Sequence, residues 1–177
     1  MEQHESALEL HTDRLVLRRA RPEDLVAMHA VLSDQRSMLY WSNAPHTELA
    51  ETERWLDSMI ASPRAVSDDF IVTRDGEAIG KMGAWRLPEF GFILRSDQWG
   101  QGYAAEALAA FLDHMFAARG VDFLTADTDP RNAAARRLLT SHGFVETGRA
   151  SGTWTTHIGS CDSIYLRLDR DIWLSAG

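Results

Sequence analysis

The stretch Gln98-Trp99-Gly100-Gln101-Gly102-Tyr103-Ala104-Ala105-Glu106 decides how this chain is read. It follows a strand-like run, Glu89-Phe90-Gly91-Phe92-Ile93-Leu94, and passes through two glycines into the apolar stripe Ala104, Ala107, Leu108, Phe111, Leu112 and Met115. Such a turn exposes backbone N–H groups at the positive end of a helix dipole. With no Cβ at Gly100 and Gly102, a phosphate can approach the main chain closely. A glycine pair can equally make nothing more than a tight turn, so its surroundings have to decide.

Upstream, Phe70-Ile71-Val72-Thr73 and the run from Ala78 to Trp85 flank Asp75-Gly76, a dipeptide that tolerates positive φ and predicts an antiparallel hairpin. A second reversal at Leu87-Pro88 leads into Glu89. Downstream, Gly120 ends the helix and Val121 to Ala126 reads as a strand, so strand, helix and strand form a right-handed parallel crossover. A second helix runs from Asp129-Pro130 to His142-Gly143, with cap, first-turn proline and terminal glycine in place. Phe144 to His157 and Asp162 to Leu168 close the chain as an antiparallel pair.

Before the meander, Leu15-Val16-Leu17 is a short strand, and Arg21-Pro22-Glu23-Asp24 opens a helix with Leu25, Met28 and Leu32 on its apolar face. Arg36 to His46 has neither helical nor strand period and reads as a long loop. Thr47 caps a further helix, with Leu49, Thr52, Leu56 and Met59/Ile60 on one side until Pro63 stops it. Gly100-x-Gly102-x-x-Ala105 also fits the looser dinucleotide pattern. That fingerprint belongs after the first strand of a parallel sheet, however, and too few residues follow Ala105 to complete a doubly wound fold.

Composition sets the outer limits. The 177 residues are 45% hydrophobic and carry 18 Lys+Arg against 26 Asp+Glu, a net charge of −8. With no repeat or linker, residues 1–177 read as one domain. The acidic balance argues against a nucleic-acid partner, which needs clustered cations; Lys81 is the only lysine. The single cysteine, Cys161, leaves no intrachain disulfide, and the seven histidines show no metal spacing. No apolar run is long enough to span a membrane. Met1 to Ser6 lacks the basic-then-apolar profile of a leader, so a cytoplasmic location is expected.

Trp99-Gly100-Gln101-Gly102-Tyr103-Ala104, followed by Asp129-Pro130-Arg131-Asn132-Ala133-Ala134-Ala135-Arg136-Arg137-Leu138-Leu139-Thr140-Ser141-His142-Gly143-Phe144, resembles the acetyl-CoA motif pair of the GNAT-type N-acetyltransferases. The resemblance is greatest to the Rim-like (RimJ/RimL-type) branch, which includes ribosomal-protein N-terminal acetyltransferases. Arg14-Leu15-Val16-Leu17-Arg18, Glu89-Phe90-Gly91-Phe92 and Cys161-Asp162-Ser163 extend it over nearly the whole chain, in order. The implied fold is α/β (α+β): a mixed, mainly antiparallel central sheet with helices on both faces and a splay between the fourth and fifth strands.

The resemblance also implies a cosubstrate, acetyl-CoA, and no metal. The pyrophosphate would sit on the N–H groups of Gly100, Gln101, Gly102, Tyr103 and Ala104. The pantetheine arm would pair with Ile93 and Leu94 and lie in the splay beside Phe123 to Asp127, with Asn132 holding its amides. One of Arg131, Arg136 and Arg137 would take the 3′-phosphate, with Arg136 carried as the candidate. Two positions depart from the usual pattern: Trp99 replaces a Gln or Arg, a variant at home in the Rim-like branch, and Leu139 replaces the Tyr that often protonates the departing thiolate.

Acetyl transfer to an amine requires that the amine lose a proton, that the oxyanion find a donor and that the thiolate leave. The N–H of Ile93 or Leu94 is the expected donor. Glu89, resembling the glutamate of a Glu-x-Gly-Tyr pattern, is the candidate base acting through a water, with Asp127 in reserve. The loop with Tyr40 and Trp41, opposite Trp154, is the expected acceptor wall. The expected function is therefore transfer of an acetyl group to a primary amine, either a peptide N-terminus or a small molecule, by a monomer or homodimer. A non-catalytic acyl-CoA-binding module and a dinucleotide-binding enzyme are the alternatives.

Overall fold

The computed structural model describes residues 8–177; the reading that Met1 to Ser6 lacks a leader profile concerns residues outside that range. Strands β1 (Glu9–His11), β2 (Val16–Arg18), β3 (Asp68–Arg74), β4 (Glu77–Arg86), β5 (Glu89–Leu94), β6 (Phe123–Thr128), β7 (Val145–Thr156) and β8 (Gly159–Asp169) form one sheet in the order β1-β2-β3-β4-β5-β6-β8-β7. Among the described residues only β5 and β6 pair in parallel. Asp75 at φ 51° and Gly76 at φ 82° make the β3–β4 turn with both central residues left-handed, as the dipeptide predicts.

Alternation along the strands builds a core on each face of the sheet. From β3, Phe70 and Val72 enter one core with Met82, Leu108 and Phe111, while Ile71 enters the other with Met28, Val31, Leu32 and Ile93. Helices α1 (Leu25–Leu32) and α2 (Leu49–Ala61) cover the second face. Helices α3 (Tyr103–Asp113) and α4 (Ala133–Ser141) belong to the first. No helix among the described residues is long and apolar enough to cross a membrane.

Several boundaries differ from the sequence reading. The cap of α2 is Glu48, not Thr47, because the Glu51 carboxylate reaches back to the N–H groups of Thr47 (2.6 Å) and Glu48 (2.9 Å). Helix α4 starts at Ala133, because Asn132 Oδ1 accepts the Ala135 N–H at 3.2 Å. Asp129, expected at that cap, instead accepts the backbone N–H and the guanidinium of Arg131. The crossover strand slides to Phe123–Thr128, where it pairs with β8 from Asp169 to Ile164.

The stripe read through Met115 is broken. After Asp113 the chain makes a π-helical turn, His114–Ala118, and Gly120 at φ 65° ends it. Two elements escaped the sequence reading altogether: β1, and the C-terminal α5 (Arg170–Ser175), whose Trp173 indole donates to Asp113 at 2.8 Å. Because β1 precedes the rest, the expected splay falls between the fifth and sixth strands rather than the fourth and fifth.

Candidate active site

The splay follows from the register. Glu89 faces Thr125, and the Thr125 N–H donates to Pro88 O at 2.9 Å, but no further pairs form between β5 and β6. Past that point the strands diverge. The β5 edge from Gly91 to Leu94 is left without a partner strand, and such an edge invites an extended, amide-bearing ligand to pair with it.

A cavity of 660 Å³ occupies this wedge. Its walls are mainly apolar: Phe90, Phe92, Ile93 and Leu94 from β5, Ala126 from β6, and Leu138 and Leu139 from α4. At one end lie Gly100, Gly102, Tyr103 and Ala104, at the N-terminus of α3. Gly100 at φ 73° and Gly102 at φ 82° need the left-handed conformation that glycine adopts without strain, and a Cβ added at Gly100 would meet nothing within 4 Å. The turn is braced from outside: Arg14 donates to Gln101 O at 2.8 Å and pairs with Glu106 at 2.7 Å, while the Trp99 indole donates to Leu94 O at 3.0 Å.

The loop after α1 contributes Tyr40 and Trp41 to the lining. Asp127 also lines the cavity and accepts the Trp154 indole N–H at 3.0 Å, which ties the β7–β8 hairpin to the site. Paired residues of neighbouring strands share a face, as do residues two apart on one strand, so Glu89, Thr125 and Asp127 all project to one side. Burial pushes the Glu89 carboxyl above its ordinary range, and the nearby Asp127 charge pushes the same way.

Of the residues singled out from the sequence, the structure brings Ile93, Leu94, Gly100, Gly102, Tyr103, Ala104 and Asn132 to the cavity wall, together with Tyr40, Trp41 and Asp127. Gln101 lies outside it, with its carbonyl on Arg14. Arg136 also lies outside, donating to Pro130 O at 3.1 Å. Glu89 is half-buried beside the cavity, next to the lining residues Phe90 and Gly91. Leu139, at the position of the missing tyrosine, is fully buried. Arg36 lines the cavity although no reading of the sequence selected it, because a lone arginine in an irregular loop has no periodic signal.

Fold and site together define an acyltransferase with a glycine turn above a splayed parallel strand pair. The model of the acetyltransferase (GNAT) domain family matches residues 14–145, and the chain belongs to that family. It is 26% identical over 148 residues to the uncharacterized N-acetyltransferase p20 of Bacillus licheniformis, covering 78% of this chain and 83% of that protein. In fold it is similar to the spermidine N-acetyltransferase of Vibrio cholerae solved with CoA and spermine, at TM-score 0.80 and 21% identity, over 92% of this chain and 99% of that one. It is similar too to RimL, a ribosomal L7/L12 alpha-N-protein acetyltransferase solved in complex with CoA, at TM-score 0.82 and 17% identity, over 93% and 99% of the two chains.

Proposed function

We propose that this chain transfers an acetyl group from acetyl-CoA to a primary amine, a peptide N-terminus or a small molecule, by direct attack in a ternary complex. The observation that carries the reading is the single cavity wall joining the N-terminus of α3 to the open edge of β5. Its glycine turn suits the diphosphate, through backbone N–H groups and the helix dipole. Its apolar wedge suits the pantetheine arm, whose amides can pair with the open edge of β5 at Leu94, while Ile93 contributes its side chain to the wall. Asn132 uses Oδ1 in the helix cap, which fixes its side chain and leaves the amide nitrogen to meet a pantetheine carbonyl.

In the reaction, the amine nitrogen bonds to the acetyl carbon and the carbon–sulfur bond breaks. The N–H of Leu94 polarises the thioester carbonyl; that of Ile93, the other expected donor, faces β4 in register with Lys81. Glu89 takes the amine proton through a water, and its raised pKa makes it a stronger base than an ordinary carboxylate. Leu139 supplies no acid. A thiol of ordinary pKa, about 8.5, leaves as the thiolate without one.

The test is acetyl-CoA consumption across N-terminal peptides, polyamines and aminoglycosides. With the best acceptor, Glu89→Gln is expected to lower kcat roughly 10²-fold while leaving CoA affinity unchanged. If Glu89→Gln turns over normally and Asp127→Asn does not, the base is Asp127.

A further inference from the structure

Two charged side chains line the cavity, and they stand on different walls: Asp127 on β6, and Arg36 on the loop after α1. The Arg36 guanidinium carbon lies 5.3 Å from the centre of the Trp99 ring, at the entry to the glycine turn. Arg36 forms no ion pair among the described residues, whereas Arg14 beside the same turn is engaged by Glu106 and Arg131 by Asp129. Its loop is also docked next to the turn by a second contact. Asp34 Oδ2 accepts the Ser96 N–H at 3.0 Å and the Ser37 hydroxyl at 2.7 Å. Burial pushes the Asp34 carboxyl up, but these bonds outweigh it and bring the pKa down to about 2, so the tether is charged throughout the working range.

Resting on the acetyl-CoA reading above, we propose that Arg36 is a phosphate-binding residue that closes on the CoA diphosphate from the side opposite the backbone N–H groups of Gly100 to Ala104. A helix N-terminus offers about half a unit of positive charge, less than a diphosphate demands, and this chain is itself strongly acidic. A guanidinium supplies a full charge and a planar fork. Attraction to the face of an indole holds such a cation in place while leaving N–H groups free for phosphate oxygens. Trp99 is then a platform. Where the wider superfamily usually carries Gln or Arg, the cation here comes from a different element and lies over the ring.

Calorimetric titration of the full chain with CoA, and with pantetheine as the phosphate-free probe, tests the assignment. Arg36→Met is expected to weaken CoA binding about tenfold or more and to leave pantetheine binding unchanged. It should also flatten the salt dependence of CoA affinity, and Arg36→Lys should fall between the two. The side chain is exposed, so the free variants should melt with the wild type. Equal CoA affinity in wild type and Arg36→Met overturns the proposal. So does an equal loss for CoA and pantetheine, which would make Arg36 a wall for the arm. If CoA fails to bind the wild type, the acetyl-CoA reading falls as well, a result distinct from either of these.

Discussion

At the scale of single residues, two positions separate function from folding. Gly91 lines the cavity, and a Cβ added there would meet nothing within 4 Å. A β-branched residue suits a strand better than glycine does. Gly91→Val should therefore keep or raise the melting temperature while lowering turnover at least about tenfold by narrowing the wedge. Unchanged kinetics would show that the acceptor and the arm pass elsewhere. Glu89 makes the second test, through pH. As a base it works only when ionised, so kcat/KM should fall as pH drops through its raised pKa. Replacement by Gln should remove that acidic limb as well as most of the rate. Glu89 could be picked out from the sequence by its place before Phe90-Gly91-Phe92. Its partner in the electrostatics, Asp127, comes beside it only because the crossover sets β6 against β5 at Thr125.

At the scale of elements, the buried carboxylate of Asp68 shows what joins the α3 side to the sheet. It is fully buried at the start of β3 and accepts from His114 at 2.7 Å and Arg119 at 3.0 Å, with Arg19 as a third partner. The π-helical turn, with Arg119 N–H on His114 O, places both His114 and Arg119 over this one group. Burial pushes its pKa up, but the bonds from His114 and Arg119 and the charge of Arg19 outweigh that and hold it well below the usual carboxylate range. A carboxyl depressed in the folded state stabilises the fold above its unfolded value, about 3.9, and that contribution is lost as pH falls through the folded value. Asp68→Asn should cost about 3 kcal/mol in urea unfolding at neutral pH and give a shallower loss of stability on acidification. The sequence offered no sign of this cluster. Its members lie in three separate segments, and an Asp at a strand end is ordinarily exposed.

At the scale of the whole molecule, one ligand should report on the entire fold, because the cavity wall draws on the α1 loop, β5, the glycine turn, β6 and α4 at once. Binding to the native state alone adds RT ln(1 + [L]/Kd), so CoA at about 100 times its Kd should add roughly 2.7 kcal/mol of stability, read as a rise in melting temperature. NAD(P) should give none. The reverse result would favour the dinucleotide reading. The elements were legible because their signals are local: Asp75-Gly76 dictates a hairpin, the glycine pair a turn with free N–H groups, and the stripe from Ala104 to Leu112 a helix. Gly100 and Gly102 can be picked out from the turn itself, whereas Ile93, Leu94, Tyr103, Ala104 and Asn132 are named only through the family resemblance; all seven line the cavity. What the sequence by itself determined is thus the order of elements and the residues carried on regular structure. Only tertiary structure decided how far β5 and β6 diverge, that Arg136 turns back to Pro130, and that Arg36 reaches the wall from an irregular loop. Those outcomes depend on contacts between segments remote in the chain, where backbone pairing and burial, not local propensity, set each side chain's direction.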